Sequence, residues 1–343
     1  MPSVAQLSKT ILVVGEVQAI QDDLKRMSQR HTIKYIPNNS RQQIIKDVKR
    51  IAQEGRVDIL FFMDGSLKSK PIDEEVFAPL LPHLSLVSGI GCGFDHMAVE
   101  YLERNKVFYS NTPKAVSFPT ATTATMLILQ TLRAASHAEI GIRRGGWRDG
   151  LTPTPDTREV FVGILGMGTI GKLVCQQVQA FGMRVLYHNR RPLPAEEEFG
   201  AQYVSFEELL QWSDVITIHC PLTPQSRHLF GEATFSKMRK GMFIVNTSRG
   251  SVIDEDALVR AMEDGTVSRV GLDVFEKEPL VHPYLMKSER ATLLPHWGTS
   301  TTRTVVDAEK EGLANITAFL ATGTPNTPGE AQPKSRLKPS QTD

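Results

Sequence analysis

Gly166, Gly168 and Gly171 form a G-x-G-x-x-G string directly after the apolar run Val160-Phe161-Val162-Gly163-Ile164-Leu165. Such a string can bind a dinucleotide pyrophosphate: the first glycine permits a tight turn, the second lets the backbone approach the phosphates, and the third lets helix and strand pack closely. Thr169 and Ile170 complete a first helical turn whose free N–H groups and positive dipole end favour an anion. A helix expected from Lys172 to Phe181 carries Leu173, Val174, Val178 and Phe181 on one side, and Gly182 stops it. The run Arg184–Asn189 then reads as a second strand, completing a βαβ unit.

The end of that second strand selects the cofactor. NAD-selective sites carry an Asp or Glu about 20 residues past the glycines to accept from the ribose 2′-OH. Here the position is Asn189, followed by Arg190 and Arg191. The carboxylate that would repel a 2′-phosphate is replaced, and two guanidiniums that bind phosphate are added. NADP(H) is therefore expected over NAD(H), with NAD(H) use still open. The alternative is that the two arginines are solvated loop charges.

The elements that must position these residues read as an α/β chain of 343 residues, long for one core. Strands are expected at 11–14, 57–62, 84–88 and 107–110, alternating with helices in an open parallel sheet. A long helix opens near Ser117 and Pro119, and its run Ala121 to Ala135 is apolar all round, which predicts burial between domains. Further strands are expected at 215–218, 243–245, 270–272 and 291–294, and a last helix over about 301–320. The organisation predicted is a nucleotide-binding Rossmann-like domain (116–301) inserted into a substrate domain (1–115 and 302–320). Both are doubly wound parallel sheets. Residues 321–343, with four prolines and few apolar side chains, read as a disordered tail.

Composition narrows the partners. A net charge of +1 gives no basic field for nucleic acid or an anionic membrane. No apolar run approaches a membrane span, and Gln6, Ser8 and Lys9 interrupt the N-terminal apolar residues, so a cytoplasmic location is expected. Cys92, Cys175 and Cys220 are odd in number and widely spaced, which reads as reduced, mostly buried thiols. Neither C-x-x-C nor H-x-x-x-H occurs, so no metal site is expected.

Three further motifs follow the glycine loop in order: Asn246-Thr247-Ser248-Arg249-Gly250, then Gly271-Leu272-Asp273-Val274-Phe275-Glu276-Lys277-Glu278-Pro279, then Pro295-His296-Trp297-Gly298-Thr299-Ser300. Together they resemble the D-isomer-specific 2-hydroxyacid dehydrogenases, and within them the glyoxylate/hydroxypyruvate reductase branch, over roughly residues 57 to 320. The resemblance implies a substrate domain of flavodoxin-like form and hydride transfer between a nicotinamide and a 2-oxo acid.

It also implies roles that the chemistry explains. Arg249 is expected to bind the substrate carboxylate and polarise its carbonyl with forked donors. His296 is expected to be the general acid in reduction, because imidazole titrates near operating pH. Glu278 is expected on the other ring nitrogen, fixing the tautomer and favouring the imidazolium. Asp273 is expected at the nicotinamide carboxamide. In the first domain, Ser88 to His96 resembles the family's glycine-rich loop, whose backbone N–H groups at Cys92 and Gly93 are expected to contact substrate. The Cys92 side chain itself reads as small and buried.

Substrate size is read from Trp297, beside the catalytic histidine, where relatives carry a smaller residue, and from Phe94 and Trp147 as further cleft walls. Bulky walls favour a small acid such as glyoxylate or hydroxypyruvate, yet aromatics also stack on an aryl substrate such as phenylpyruvate. Gly145-Gly146-Trp147 resembles the segment with which the branch reaches a partner subunit, implying a homodimer. Thr125 departs from the carboxylate of many relatives. The expectation is an NADPH-preferring reductase giving the D-2-hydroxy acid. The alternatives are a reductase of bulkier acids and a non-catalytic dinucleotide-sensing binding protein on the same fold.

Overall fold

The computed structural model describes residues 8–63 and 71–328. It divides into two compact units, one of 1–116 with 301–343 and one of 117–300, so the second is inserted in the first. The first begins β1 Thr10–Val14, α1 Gln21–Met27, β2 Thr32–Ile36, α2 Arg41–Glu54, β3 Ile59–Phe62 and α3 Glu74–Phe77. It continues with β4 Leu86–Gly89, α4 Val99–Arg104 and β5 Phe108–Ser110, and α5 Pro113–Leu132 leads into the second unit. There follow α6 Ala135–Arg143, β6 Phe161–Leu165, α7 Thr169–Gln179, β7 Arg184–His188, β8 Gln202–Tyr203 and α8 Phe206–Trp212. The remainder is β9 Val215–Ile218, α9 Glu232–Phe235, β10 Met242–Asn246, α10 Glu255–Glu263, β11 Val267–Leu272, α11 Pro283–Lys287 and β12 Ala291–Leu293. Helix α12, Thr302–Thr322, returns to the first unit.

Both sheets are parallel throughout. The five-stranded sheet runs β2-β1-β3-β4-β5, the flavodoxin-like order, and the seven-stranded sheet runs β12-β11-β10-β9-β6-β7-β8, the dinucleotide-fold order extended by one strand. The strands are apolar on both faces because helices cover both: Ile11, Val13, Phe61 and Leu86 pack with Leu313 and Ile316 of α12, while Leu12, Leu60 and Val87 pack with α2. Helix α12 is fastened to the first unit by Glu309, whose buried carboxylate accepts from the N–H groups of Gln18, Ala19 and Ile20 at 2.8, 2.7 and 3.3 Å.

Several local expectations are corrected. Strands β2 and β8 were not anticipated. Phe181 falls beyond the end of α7 and is 48% exposed, so that of the four expected residues Leu173, Val174 and Val178 serve the packed side, joined by Ile170 and Cys175. The apolar run of α5 forms core within the second unit: Ala121, Ala124, Leu127, Ile128 and Leu132 pack with β6, β7 and β10. Within 321–328, the described part of the expected tail, the Thr327 N–H donates to Asn315 Oδ1 at 2.9 Å and Pro328 bridges Ser110. The rest of the expected tail, 329–343, lies outside the described residues. No described helix is long and apolar enough to cross a membrane.

Candidate active site

The second sheet reverses its winding direction between β6 and β9, and the glycine turn sits at that point. Gly166 has φ +97°, and a Cβ on it would stand 2.7 Å from Cys220 N. A Cβ on Gly171 would stand 2.4 Å from the Gly166 carbonyl oxygen. Both positions therefore require glycine, the first also for its left-handed backbone. A Cβ on Gly168 would meet nothing within 4 Å, so that position opens onto free space above the first turn of α7. That turn, with Thr169 and Ile170, carries no acidic side chain, which keeps its N–H end suited to an anion.

Asn189 does more than vacate an acid position. Its Oδ1 accepts the Met167 N–H at 2.7 Å, tying the glycine turn to the end of β7. Arg190 and Arg191 are exposed, and neither forms an ion pair among the described residues. Next to the glycine turn, His219 Nε2 lies 2.9 Å from Thr217 Oγ1, and burial lowers its pKa to about 4, which keeps the ring neutral. Burial also pushes the Cys220 thiol up to about 11.

The carboxyl ends of β10, β11 and β12 carry the three remaining motifs. After β10, Asn246 accepts the Ser248 N–H at 2.9 Å and donates to the Arg249 carbonyl at 2.9 Å, shaping the turn from which Arg249 projects. Arg249 Nη1 donates to the Ser248 carbonyl at 2.8 Å. After β11, Glu278 folds back so that Oε1 accepts the Phe275 N–H at 3.1 Å while Oε2 lies 2.9 Å from His296 Nδ1. The expected Glu278–His296 pair is thus brought together from residues 18 apart. His296, at the turn after β12, has φ +54°, a sparsely populated conformation for a side-chain-bearing residue.

Asp273 holds that turn. Its Oδ1 accepts the Trp297 N–H at 2.6 Å, its Oδ2 accepts the Gly298 N–H at 2.9 Å, and its carbonyl accepts the His296 N–H at 2.8 Å. Burial pushes the carboxyl up, against the two amides that favour its anion. These bonds need the β11 and β12 ends to lie side by side, which the linear sequence does not display. One buried acid was not expected: Glu255, at the start of α10, accepts the Glu276 N–H at 2.7 Å and so braces the segment leading to Glu278.

The residues present fit a dinucleotide. Besides the open space at Gly168, the Thr247 hydroxyl, two residues before Arg249, is buried without a hydrogen-bond partner. An orphaned buried hydroxyl at a strand's carboxyl end is a group awaiting a polar ligand.

In the first unit, Gly91 has φ +109°, its N–H donates to Thr112 Oγ1 at 2.8 Å, and the Cys92 carbonyl accepts from Asn111 Nδ2 at 2.8 Å. The loop bearing Cys92 and Gly93 is therefore held from below. The Cys92 side chain, expected buried, is exposed. Phe94, expected at a cleft wall, packs on the first unit's own core, edge to face with Tyr109 at 6.3 Å. Trp297 and Trp147 are 60% and 72% exposed. The Thr125 hydroxyl donates to Gln177 Oε1 at 2.7 Å, joining α5 to α7 by a neutral bond.

Residues 125–298 match the family model described as D-isomer specific 2-hydroxyacid dehydrogenase, NAD binding domain. A 4-methyl-2-oxopentanoate reductase A of Aspergillus oryzae is 37% identical, over 91% of this chain and 95% of its own. The crystal structure of a glyoxylate reductase from Paecilomyes thermophila superposes with a TM-score of 0.90 at 37% identity, covering 97% of this chain and all of that one. An NADPH-dependent glyoxylate/hydroxypyruvate reductase from Sinorhizobium meliloti, solved with NADP and malonate, gives 0.79 at 27% identity, covering 94% and 97%. With its two parallel sheets, its glycine turn and its ordered motifs, the chain belongs to the D-isomer-specific 2-hydroxyacid dehydrogenases and is an oxidoreductase using a nicotinamide dinucleotide.

Proposed function

We propose that the protein is an NADPH-preferring reductase of small 2-oxo acids, glyoxylate and hydroxypyruvate, giving the D-2-hydroxy acid where the product is chiral. The observation that carries the chemistry is the contact of 2.9 Å between Glu278 Oε2 and His296 Nδ1. With Nδ1 turned to the carboxylate, Nε2 is the nitrogen that delivers a proton to the substrate's carbonyl oxygen, and Glu278 stabilises the imidazolium before transfer. Arg249 grips the substrate carboxylate and draws charge from the carbonyl. When bound, the reduced nicotinamide supplies the hydride to the carbonyl carbon. The backbone N–H groups of Cys92 and Gly93 supply further donors to the substrate, and Asp273 keeps two lone-pair sites for the carboxamide while fixing the His296 turn.

Cofactor choice rests on Asn189, Arg190 and Arg191: Asn189, not Asp or Glu, follows β7, and two exposed guanidiniums come next. The relative from Sinorhizobium meliloti, solved with NADP, supports this reading. Trp297 is the wall that limits the substrate. A bulkier 2-oxo acid is the second reading, favoured by the likeness to a 4-methyl-2-oxopentanoate reductase. We also propose a homodimer, through the exposed Ile142 and Trp147 around α6, and a cytoplasmic location. Initial rates with NADPH and NADH, for glyoxylate, hydroxypyruvate, 4-methyl-2-oxopentanoate and phenylpyruvate in turn, test the assignment. Fastest turnover of the two small acids with NADPH supports it; turnover confined to the two larger acids replaces the substrate, and a preference for NADH replaces the cofactor.

A further inference from the structure

The loop that carries Arg190 and Arg191 is tied down along its length by groups other than the arginines. At its start, the His188 carbonyl accepts the Gly166 N–H at 3.0 Å and Asn189 Oδ1 accepts the Met167 N–H. The Asn189 carbonyl, in the peptide that leads to Arg190, accepts the Tyr203 hydroxyl at 3.3 Å. At the far end, the Leu193 N–H donates to the Tyr187 hydroxyl at 2.9 Å, and that hydroxyl donates to Glu198 Oε1 at 2.7 Å. The two tyrosine rings stand edge to face, 5.4 Å between centroids, with Tyr187 fully buried in β7 and Tyr203 beside it in β8.

The partner of Tyr187 matters because three consecutive glutamates, Glu196, Glu197 and Glu198, follow the arginine pair within a few residues. A carboxylate drawn to either guanidinium would cancel the charge that a phosphate needs and would repel the phosphate itself. Two of the three are engaged elsewhere: Lys172 pairs with Glu197, and Tyr187 holds Glu198.

We propose that Tyr187 and Tyr203 are positioning residues for cofactor choice, fixing the Asn189–Leu193 loop and holding Glu198 away so that Arg190 and Arg191 meet a 2′-phosphate with their charge uncancelled. The inference rests on the NADPH reading above. Tyr203 acts on the loop through the Asn189 carbonyl, and Tyr187 through the Leu193 N–H and by holding Glu198. NADH lacks the 2′-phosphate, so loss of either hydroxyl falls on NADPH and shows in the ratio of kcat/KM for NADPH to that for NADH.

The test measures that ratio, at fixed saturating glyoxylate, for the wild type, Tyr187→Phe, Tyr203→Phe and the double variant Tyr187→Phe/Glu198→Gln. The wild-type ratio exceeds one. Tyr187→Phe, which removes two hydrogen bonds, lowers it about fivefold and Tyr203→Phe, which removes one, about threefold, through KM. The double variant recovers most of the loss, because the released side chain no longer carries charge. A general loss of structure lowers both kcat/KM values alike and leaves the ratio in place. A ratio unchanged in both single variants overturns the positioning role while the NADPH reading stands on the wild-type value. A double variant no better than Tyr187→Phe overturns the part given to Glu198, and a wild-type ratio of one or less overturns both inference and reading. Should Tyr187→Phe fail to fold, Tyr203→Phe alone decides the loop's role.

Discussion

Gly250 lies so close to Phe275 that a Cβ on it would stand 1.9 Å from the Phe275 carbonyl carbon. The turn that bears Arg249 is thereby pressed against the backbone that leads, three residues later, to Glu278. Two residues 25 apart in sequence share one rigid contact, and only a hydrogen in place of a side chain allows it.

Gly250→Ala must therefore push the two loops apart. The expected cost is about 2 kcal/mol or more of stability, as for other overpacked sites, with a loss of turnover because Arg249 and Glu278 move relative to each other. A urea unfolding curve checks this: a lowered midpoint is expected, and a midpoint and turnover equal to wild type contradict the contact.

Arg249→Lys keeps the positive charge and loses the fork. If Arg249 grips a planar carboxylate through two donors, kcat/KM for the 2-oxo acid falls by about 10–10²-fold while dinucleotide affinity holds. Steady-state kinetics with a parallel dinucleotide titration separates the two. Equal loss in both would mean that the side chain supports the fold instead.

Loss of Arg190 and Arg191 reports on the cofactor. The double substitution to alanine is expected to lower kcat/KM for NADPH by about 10–10²-fold, with NADH changed far less, since only the former carries the phosphate that two charge-assisted hydrogen-bonding groups would meet. The NADPH effect should also shrink as salt is raised in the wild type. Parallel loss for both cofactors would return the two arginines to the status of solvated loop charges.

His219 gives a pH prediction with a definite sign. Burial lowers its pKa from 6.5 to about 4, so the folded ring stays neutral where the unfolded ring takes a proton. The unfolded state then binds more protons between those two values, and stability present above pH 6.5 is lost as pH falls towards 4, by up to about 3 kcal/mol. His219→Gln removes this contribution. The difference in melting temperature between wild type and variant should change in the variant's favour as the pH is lowered through that window; a difference independent of pH contradicts the buried neutral ring.

What was legible in the sequence was what backbone chemistry constrains locally. The glycine turn could be read because Gly166 and Gly171 have no room for a Cβ, and the strands because helices on both faces make them continuously apolar. Strand β2 was missed because Thr32, Lys34 and Tyr35 line a half-exposed edge, and β8 because two residues give no period to detect. The pairing of Glu278 with His296 came from the resemblance to the family, and their contact is made where the ends of neighbouring strands meet. The clamps were not legible: Asp273 on Trp297 and Gly298, Glu255 on Glu276 and Tyr203 on Asn189 join residues through space between motifs. Cys92 read as buried because its neighbours are small and apolar, but the loop turns outward at Gly91, where φ is +109°.

The central claim is that His296 delivers the proton while Glu278 holds its other nitrogen. The most direct measurement is NADPH-dependent glyoxylate reduction by wild type and His296→Ala, with the dissociation constant for NADP+ taken on the same preparations. Turnover should fall by about 10²–10⁴-fold, the usual contribution of a positioned general acid, with NADP+ affinity within a few fold of wild type. Undiminished turnover in His296→Ala would contradict the account.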